Sequence, residues 1–134
     1  MSLFNLLSWT WGLPLTLIGY IVSLILTALG YHPYRYRKNF WCFELGERWG
    51  GLNLGPFLLV QKNADYDLKN HEVGHAIQNC LFGPFTVILV HIPSVIRYWY
   101  YELYYNKYNK YPGNYYSIWF ERQATEFGAK KIDF

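Results

Sequence analysis

The first quarter of the chain is a long apolar stretch without a charged side chain, and it constrains the fold more than any other feature. No Asp, Glu, Lys or Arg occurs from Ser2 to Pro33, and Trp9–Tyr31 consists mostly of aliphatic and aromatic residues. A helix needs about 20 apolar residues to cross the hydrocarbon core of a bilayer. A domain of this size has little interior in which to bury a helix that is apolar all round. The sequence therefore predicts an N-terminal transmembrane anchor helix within residues 1–33.

Basic residues stand after this apolar stretch rather than before it. Arg35, Arg37 and Lys38 follow it, whereas a cleaved signal peptide carries its basic residues ahead of a shorter apolar core. Lys and Arg concentrate on the cytoplasmic side of membrane helices. We therefore expect residues 34–134 to form one domain on the cytoplasmic side of a membrane.

The composition of the whole chain agrees with contact to lipid. Charged residues make up only 16% and aromatic residues 22%, whereas soluble domains carry about 25% charged residues. The formal net charge of +3 is too small to indicate a nucleic-acid partner. Cys42 and Cys80 are too few to form a disulfide framework and match no metal-ligand spacing, so two buried or idle thiols are expected.

Two segments after the basic cluster have the extended apolar character of β-strands. They are Asn39–Leu45 and Leu52–Val60, and glycines separate them. Pro56 cannot donate to a hydrogen-bond ladder, so the second segment is expected at a sheet edge or with a bulge. The resulting prediction is a short antiparallel hairpin or small sheet.

Three helices are predicted in the remainder of the chain. They run from about Leu68 to Phe82, from Phe85 to Tyr105, and from Asn114 or Ser117 to about Lys131. Gly83-Pro84 ends the first helix, and Asn114 and Ser117 are both suitable N-caps for the third. Strands followed by separate helices give an α+β fold class.

The first of these helices carries the sequence His71-Glu72-Val73-Gly74-His75. Residues four apart lie on the same face of a helix, so both imidazoles can reach one metal ion. Glu72 lies close enough to accept a proton from a water at that metal, and can later deliver the proton to a leaving amine. This spacing predicts a metal site with His71 and His75 as ligands and Glu72 as general base.

The predicted C-terminal helix carries Glu121-Arg122-Gln123-Ala124-Thr125. Together with the His-Glu-x-x-His motif, this segment resembles the gluzincin metallopeptidases, zinc enzymes in which a later helix supplies a Glu ligand. Membrane-associated members often read Glu-x-x-Ala-Asp there, and the Asp supports a zinc-bound His; Thr125 replaces it here. The resemblance covers roughly residues 70–82 and 117–128. It implies a zincin-like minimal domain that binds Zn²⁺ through His71, His75 and Glu121 and cleaves a peptide or protein substrate.

Helix geometry separately favours Glu121 among the candidates for the third ligand. A catalytic zinc takes three protein ligands, and His32, His91 and Glu126 are the other candidates. Glu121 shares a helix face with Thr125 and with the apolar Ile118. Glu126 is rotated about 140° from Glu121, toward solvent.

This ligand set places a constraint on the segment Leu81–Ile96. Its uncharged composition would permit a second membrane span, although a helix of this length is only about 24 Å long. A span there would put the two histidines and Glu121 on opposite sides of the membrane. We therefore expect Phe85–Tyr105 to pack in the core or to lie in the membrane interface.

Two alternatives to a membrane-anchored peptidase stay open. One is a non-catalytic membrane protein with a structural zinc site, although such a site needs no base beside it. The other is an intramembrane metalloprotease, which takes an Asp from a distant membrane helix. The sequence offers no acidic residue in a second convincing span.

Overall fold

The computed structural model describes residues 3–47, 49–113 and 118–129. Within these residues the chain forms four β-strands and five α-helices. The strands are β1 (Tyr34–Tyr36), β2 (Phe40–Glu44), β3 (Gly51–Leu54) and β4 (Phe57–Val60). The helices are α1 (Leu3–Ser8), α2 (Leu13–Ala28), α3 (Tyr66–Phe82), α4 (Ile92–Tyr108) and α5 (Trp119–Ala129). The α+β class is confirmed.

The four strands form one mixed sheet in the order β1-β2-β4-β3. β1 pairs with β2 and β3 pairs with β4 in antiparallel fashion, whereas β2 and β4 run parallel. The prediction of an antiparallel sheet is therefore wrong for the central pair. Parallel pairing is possible because β3 lies between β2 and β4 in the sequence and occupies the outer position in the sheet.

The predicted single strand Leu52–Val60 is a hairpin. Gly55 has a φ of +67°, and the Asn53 side chain accepts from the Gly55 N–H at 3.0 Å and donates to its carbonyl at 2.8 Å. Pro56 lies in this turn, where no ladder donor is required. The edge position predicted for the segment is therefore wrong for β4, which lies inside the sheet and is buried along its whole length.

Arg37 and Lys38 of the basic cluster form the turn between β1 and β2, and the sequence analysis did not predict strand β1. Both residues have positive φ, +46° and +70°. Arg37 donates to the carbonyl of Gly128 on α5 at 2.7 Å. This arginine therefore joins the first hairpin to the last helix.

Helices cover both faces of the sheet. Cys42 and Leu58 point to the face against which α3 packs, in a cluster that includes Phe4 of α1. Phe43 and Leu59 point to the opposite face, in a cluster with Leu15 of α2. The alternation of side chains along β2 and β4 thus gives the protein two apolar layers. Cys42 and Cys80 are free and buried, as predicted.

The helix predicted for Trp9–Tyr31 is shorter in the structure, where α2 covers only Leu13–Ala28. The chain turns after α1, where the Gly12 N–H donates to the carbonyl of Leu7 at 2.8 Å, and α2 has 16 residues. Among the described residues, no single helix is both long enough and apolar enough to cross a membrane. The helical segments 66–85 and 87–108 are long and apolar enough for a membrane span only when they are taken together. The two segments are bent by 117° relative to each other.

The end of α3 agrees with the sequence prediction. Gly83 follows Phe82 with a φ of +58°, a conformation that glycine adopts without strain. A 3-10 turn (Gly83–Phe85) and a π-helical turn (Val87–His91) then lead into α4. The predicted caps of the last helix, Asn114 and Ser117, and its predicted end at Lys131 lie outside the described residues.

The packing of α5 on α3 depends on glycines at the point where the two helices cross. A Cβ at Gly74 would overlap the carbonyl of Ala124, and a Cβ at Gly128 would overlap the carbonyl of Asn70. The two backbones are therefore in direct contact at Gly74, between the two histidines, and at Asn70, directly before them.

We expect Gly74→Ala to destabilise the protein by about 2–3 kcal/mol, because the added methyl group meets a backbone oxygen that cannot rotate away. Chemical denaturation would measure this loss. Gly113→Ala is the control, since a Cβ at Gly113 would meet only the Tyr101 hydroxyl at 4.0 Å. Equal stabilities of the two variants would show that the helices can separate without cost.

Candidate metal centre

One turn of α3 brings together a buried group that could hold a metal ion. His71, Glu72 and His75 are each less than 7% exposed, and the potential ligand atoms of the three lie within 4.8 Å of one another. Asp65 begins the helix by accepting a hydrogen bond from the Leu68 N–H at 2.9 Å. The motif therefore starts in the second turn of a capped helix.

Glu121 of α5 meets both histidines. Its Oε2 lies 2.8 Å from His71 Nε2, its Oε1 lies 3.4 Å from His75 Nε2, and the residue is 1% exposed. The structure therefore brings together the three residues that the sequence analysis selected as ligands. The chain bends by 117° after α3, and α5 returns to the same site.

The hydrogen bonds of Gln78 fix the tautomer of His75. The Gln78 amide nitrogen donates to the carbonyl of Phe120 at 2.7 Å and to Gln123 Oε1 at 3.1 Å. Its Oε1 consequently faces His75 Nδ1 at 2.8 Å and can only accept. The His75 proton is therefore on Nδ1, and the Nε2 lone pair points toward Glu121.

Thr125 fixes the tautomer of His71 in the same way. Its hydroxyl donates to the carbonyl of Glu121 at 3.2 Å, so the oxygen accepts from His71 Nδ1–H at 2.8 Å. The Nε2 lone pair of His71 then also faces the carboxylate. Thr125 thus supports His71 through a neutral hydroxyl group.

This arrangement places three acceptors against one another in a buried space. Two imidazole lone pairs and a carboxylate repel unless a cation or a proton lies between them. Adjacent ligands of a tetrahedral zinc ion lie about 3.3 Å apart, since each bond is about 2.0–2.1 Å long. The distance of 3.4 Å between His75 and Glu121 matches this spacing, and the 2.8 Å between His71 and Glu121 is somewhat shorter. The donor set of two nitrogens and one carboxylate fits the metal.

The close packing of these groups shifts the pKa values of His75 and Glu121. Burial alone lowers the pKa of His75, but its hydrogen bond to Glu121 and the nearby carboxylates together raise it to about 8. Burial raises the pKa of Glu121, but its hydrogen bonds to His71 and His75 outweigh this and hold it well below the usual range. A proton therefore occupies part of the space between these groups when no metal is bound.

Ser94 of α4 holds the other side of the Glu121 carboxylate. Its hydroxyl donates to Glu121 Oε1 at 2.6 Å. The sequence analysis missed both Ser94 and Gln78. The sequence carries one weak sign of Gln78, its position one turn after His75 on the ligand face, and none of Ser94, which belongs to a different helix.

Glu72 stands beside this cluster and faces the outer strand of the sheet. A Cβ at Gly51 would approach the Glu72 side chain to 3.1–3.3 Å, so the absence of a side chain on β3 gives the carboxylate its space. Burial raises the pKa of Glu72 above the usual range. A carboxyl group with a raised pKa is a stronger base, which suits it to accept a proton.

The other candidates for a third ligand lie apart from the cluster. His91 lines the same cavity, but its Nε2 donates to the carbonyl of Asn53 at 2.8 Å, and burial lowers its pKa to about 4. His32 and Glu126 are exposed. Neither belongs to the buried metal-binding group found among the described residues.

A cavity of about 680 Å³ opens on the cluster. Aromatic and aliphatic side chains form most of its wall opposite the histidines: Trp49, Leu52, Leu68, Val90, Val95, Tyr98, Trp99, Tyr101 and Tyr111. The cavity therefore combines a few convergent polar groups with apolar walls, as ligand and substrate sites do.

Comparisons with protein-family models, curated proteins and solved structures gave no match to this chain. Its function is therefore inferred from the geometry and chemistry of the site itself.

Metal affinity should rise with pH about tenfold per unit up to about pH 8 and then level off, because the metal must displace the proton that His75 binds with a pKa of about 8. The metal-free protein should lose stability as pH rises from 6.5 through about 8, since a pKa raised on folding stabilises only the protonated form. Zinc titration against a competing chelator across this range would measure the effect. A flat profile would show that no proton competes with the metal.

Thr125→Val should weaken zinc binding by about 10-fold or more, because it leaves the Nδ1–H of His71 without its acceptor. Thr125→Asp should strengthen binding, since a carboxylate orients the imidazole more strongly. Competition titration gives both affinities. Thr27→Val is a matched control: the Thr27 hydroxyl also donates to a carbonyl four residues earlier, at 2.8 Å, far from the site. A Thr125→Val affinity equal to that of the control would remove Thr125 from the metal centre.

Proposed function

We propose that this protein is a membrane-associated zinc metallopeptidase of the gluzincin type. His71, His75 and Glu121 hold the zinc ion, and Glu72 is the general base. The observation that carries the proposal is the convergence of two Nε2 lone pairs on the Glu121 carboxylate, at 2.8 and 3.4 Å, beside a further carboxylate that borders a cavity.

Zinc, when bound, supplies a Lewis acid that polarises the peptide carbonyl and makes water more acidic. Glu72 takes the proton of the attacking water and delivers it to the leaving amine. Burial raises its pKa, which makes the carboxylate a stronger base and suits it to accept the proton. Thr125 and Gln78 keep both imidazoles in the tautomer that binds metal through Nε2.

β3 offers a binding edge for the substrate. It pairs only with β4 within the described sheet, so one side of the strand is free of ladder bonds. The Gly50 carbonyl, directly before β3, accepts from the Gln61 N–H, directly after β4, at 2.9 Å. Because successive residues of an antiparallel strand bond alternately toward and away from the partner strand, the N–H and C=O of Gly51 point outward. A peptide that adds to this edge would pass directly beside Glu72.

Two observations favour this function over the alternatives. A structural zinc site is closed by four protein ligands, whereas in the proposed site His71, His75 and Glu121 hold the ion and Glu72, which lines the cavity, serves as the base. The third ligand comes from α5, which follows the charged residues Arg97 and Glu102 of α4. An intramembrane metalloprotease would instead take an Asp from a membrane helix.

We expect Glu72→Gln to keep stoichiometric zinc and to lose at least about 100-fold in peptidase activity, because the amide cannot accept the proton. Glu121→Ala should lose both zinc and activity. Metal analysis and cleavage of a broad peptide library would measure the two properties. Glu126→Gln is the control, since Glu126 is exposed on the same helix. Wild-type protein that carries zinc and cleaves no peptide would instead support a structural site.

A further inference from the structure

The outer sides of two helices leave large apolar side chains uncovered. We define the apolar face by Leu17, Ile21 and Leu24 of α2 and by Ile92, Ile96 and Trp99 of α4, which are between 47% and 64% exposed. In each helix the three residues are spaced by three or four positions and form one stripe. The opposite stripe of α2, which includes Leu15 and Gly19, is buried against the sheet.

Two aromatic side chains connect the start of α2 with the turn that leads into α4. The Trp11 indole donates to the carbonyl of Leu81 at 3.2 Å, and its ring lies edge-on to Phe85, with centroids 6.4 Å apart. Trp11 and Phe85 are themselves 45% and 57% exposed. The apolar face therefore continues from α2 across the turn after α3 to α4.

The chemistry of this face indicates lipid rather than protein. No Asp, Glu, Lys or Arg occurs in α2 or between Glu72 and Arg97, whereas a protein interface has a polar rim. Exposed cationic residues, Lys107 and Lys110, appear beyond the C-terminal end of the α4 stripe. Such residues complement anionic headgroups.

The same face borders the opening of the cavity. Val95 and Trp99 line the cavity and are 45% and 61% exposed. One residue earlier, Ser94 points inward to Glu121 at 2.6 Å. α4 therefore has the metal centre on one side and the apolar face on the other.

We propose that the apolar face lies in the boundary between headgroups and acyl chains of a phospholipid bilayer, with α2 and α4 in the plane of the membrane. A helix of the length of α2 is about 24 Å long, shorter than the 30 Å hydrocarbon core, which favours this arrangement over a span. The cavity then opens at the membrane surface. If the protein is the peptidase proposed above, its substrates are apolar peptide segments held at that surface.

Site-specific labelling tests this orientation without metal or catalysis. Ile21→Cys, Ile96→Cys and the control Glu126→Cys of the full chain would each carry a polarity-sensitive nitrobenzoxadiazole dye. Cys42 and Cys80 are at most 5% exposed, and labelling of the wild type checks that they stay unmodified. In vesicles of phosphatidylcholine and phosphatidylglycerol, residues 21 and 96 should show blue-shifted emission and resist iodide. Quenchers near the lipid headgroup should act more strongly on them than quenchers at the acyl chain end. Residue 126 should be open to iodide.

Three outcomes would overturn the proposal. Strongest quenching of residue 21 from the acyl chain end would mean that α2 spans the bilayer. Free access of iodide to residue 96 would mean that α4 faces water. Protection of residue 96 from both lipid and aqueous quenchers, with a dimer by crosslinking, would mean that a second copy covers the face. Because none of these readings involves peptide cleavage, they are independent of whether the protein is a peptidase.

Discussion

The close approach of α3 and α5 is the constraint on which the rest of the site depends. Gly74 and Gly128 allow the backbone of each helix to touch the other, and only at this separation can Glu121 reach both histidines. Arg37 adds a bond from the β1–β2 hairpin to the carbonyl of Gly128 at the end of α5. The sheet thus supports α3 through its packed face, and the β1–β2 hairpin holds α5 in position against α3.

The polar groups in this interface support one another through their hydrogen-bond requirements. Gln78 and Thr125 each use their donor on a backbone carbonyl, which leaves only an acceptor for the adjacent imidazole. Buried polar groups that are all satisfied hold one geometry, whereas a partly satisfied network does not. The two Nε2 atoms are therefore oriented before any ligand arrives.

The sequence predicted which residues converge at the site better than it predicted the fold around them. The spacing of His71 and His75 is a property of one helix, and the motif around Glu121 identified its partner, so both needed only local information. Ser94 and the parallel pairing of β2 with β4 depend on contacts between distant segments, which no local pattern records. The N-terminal helix was predicted as one element because hydropathy does not show the turn that the Gly12 N–H makes with Leu7.

Ser94 couples the inner and outer sides of α4 energetically. Its hydroxyl holds the Glu121 carboxylate, while its neighbours Val95 and Ile96 are exposed on the outer side of the same helix turn. A rigid helix cannot shift at one surface without shifting at the other. An outer contact that stabilises this position of α4 therefore makes ligand binding at Glu121 more favourable by the same free energy. Linkage requires the converse as well, so that ligand binding at Glu121 strengthens the outer contact equally.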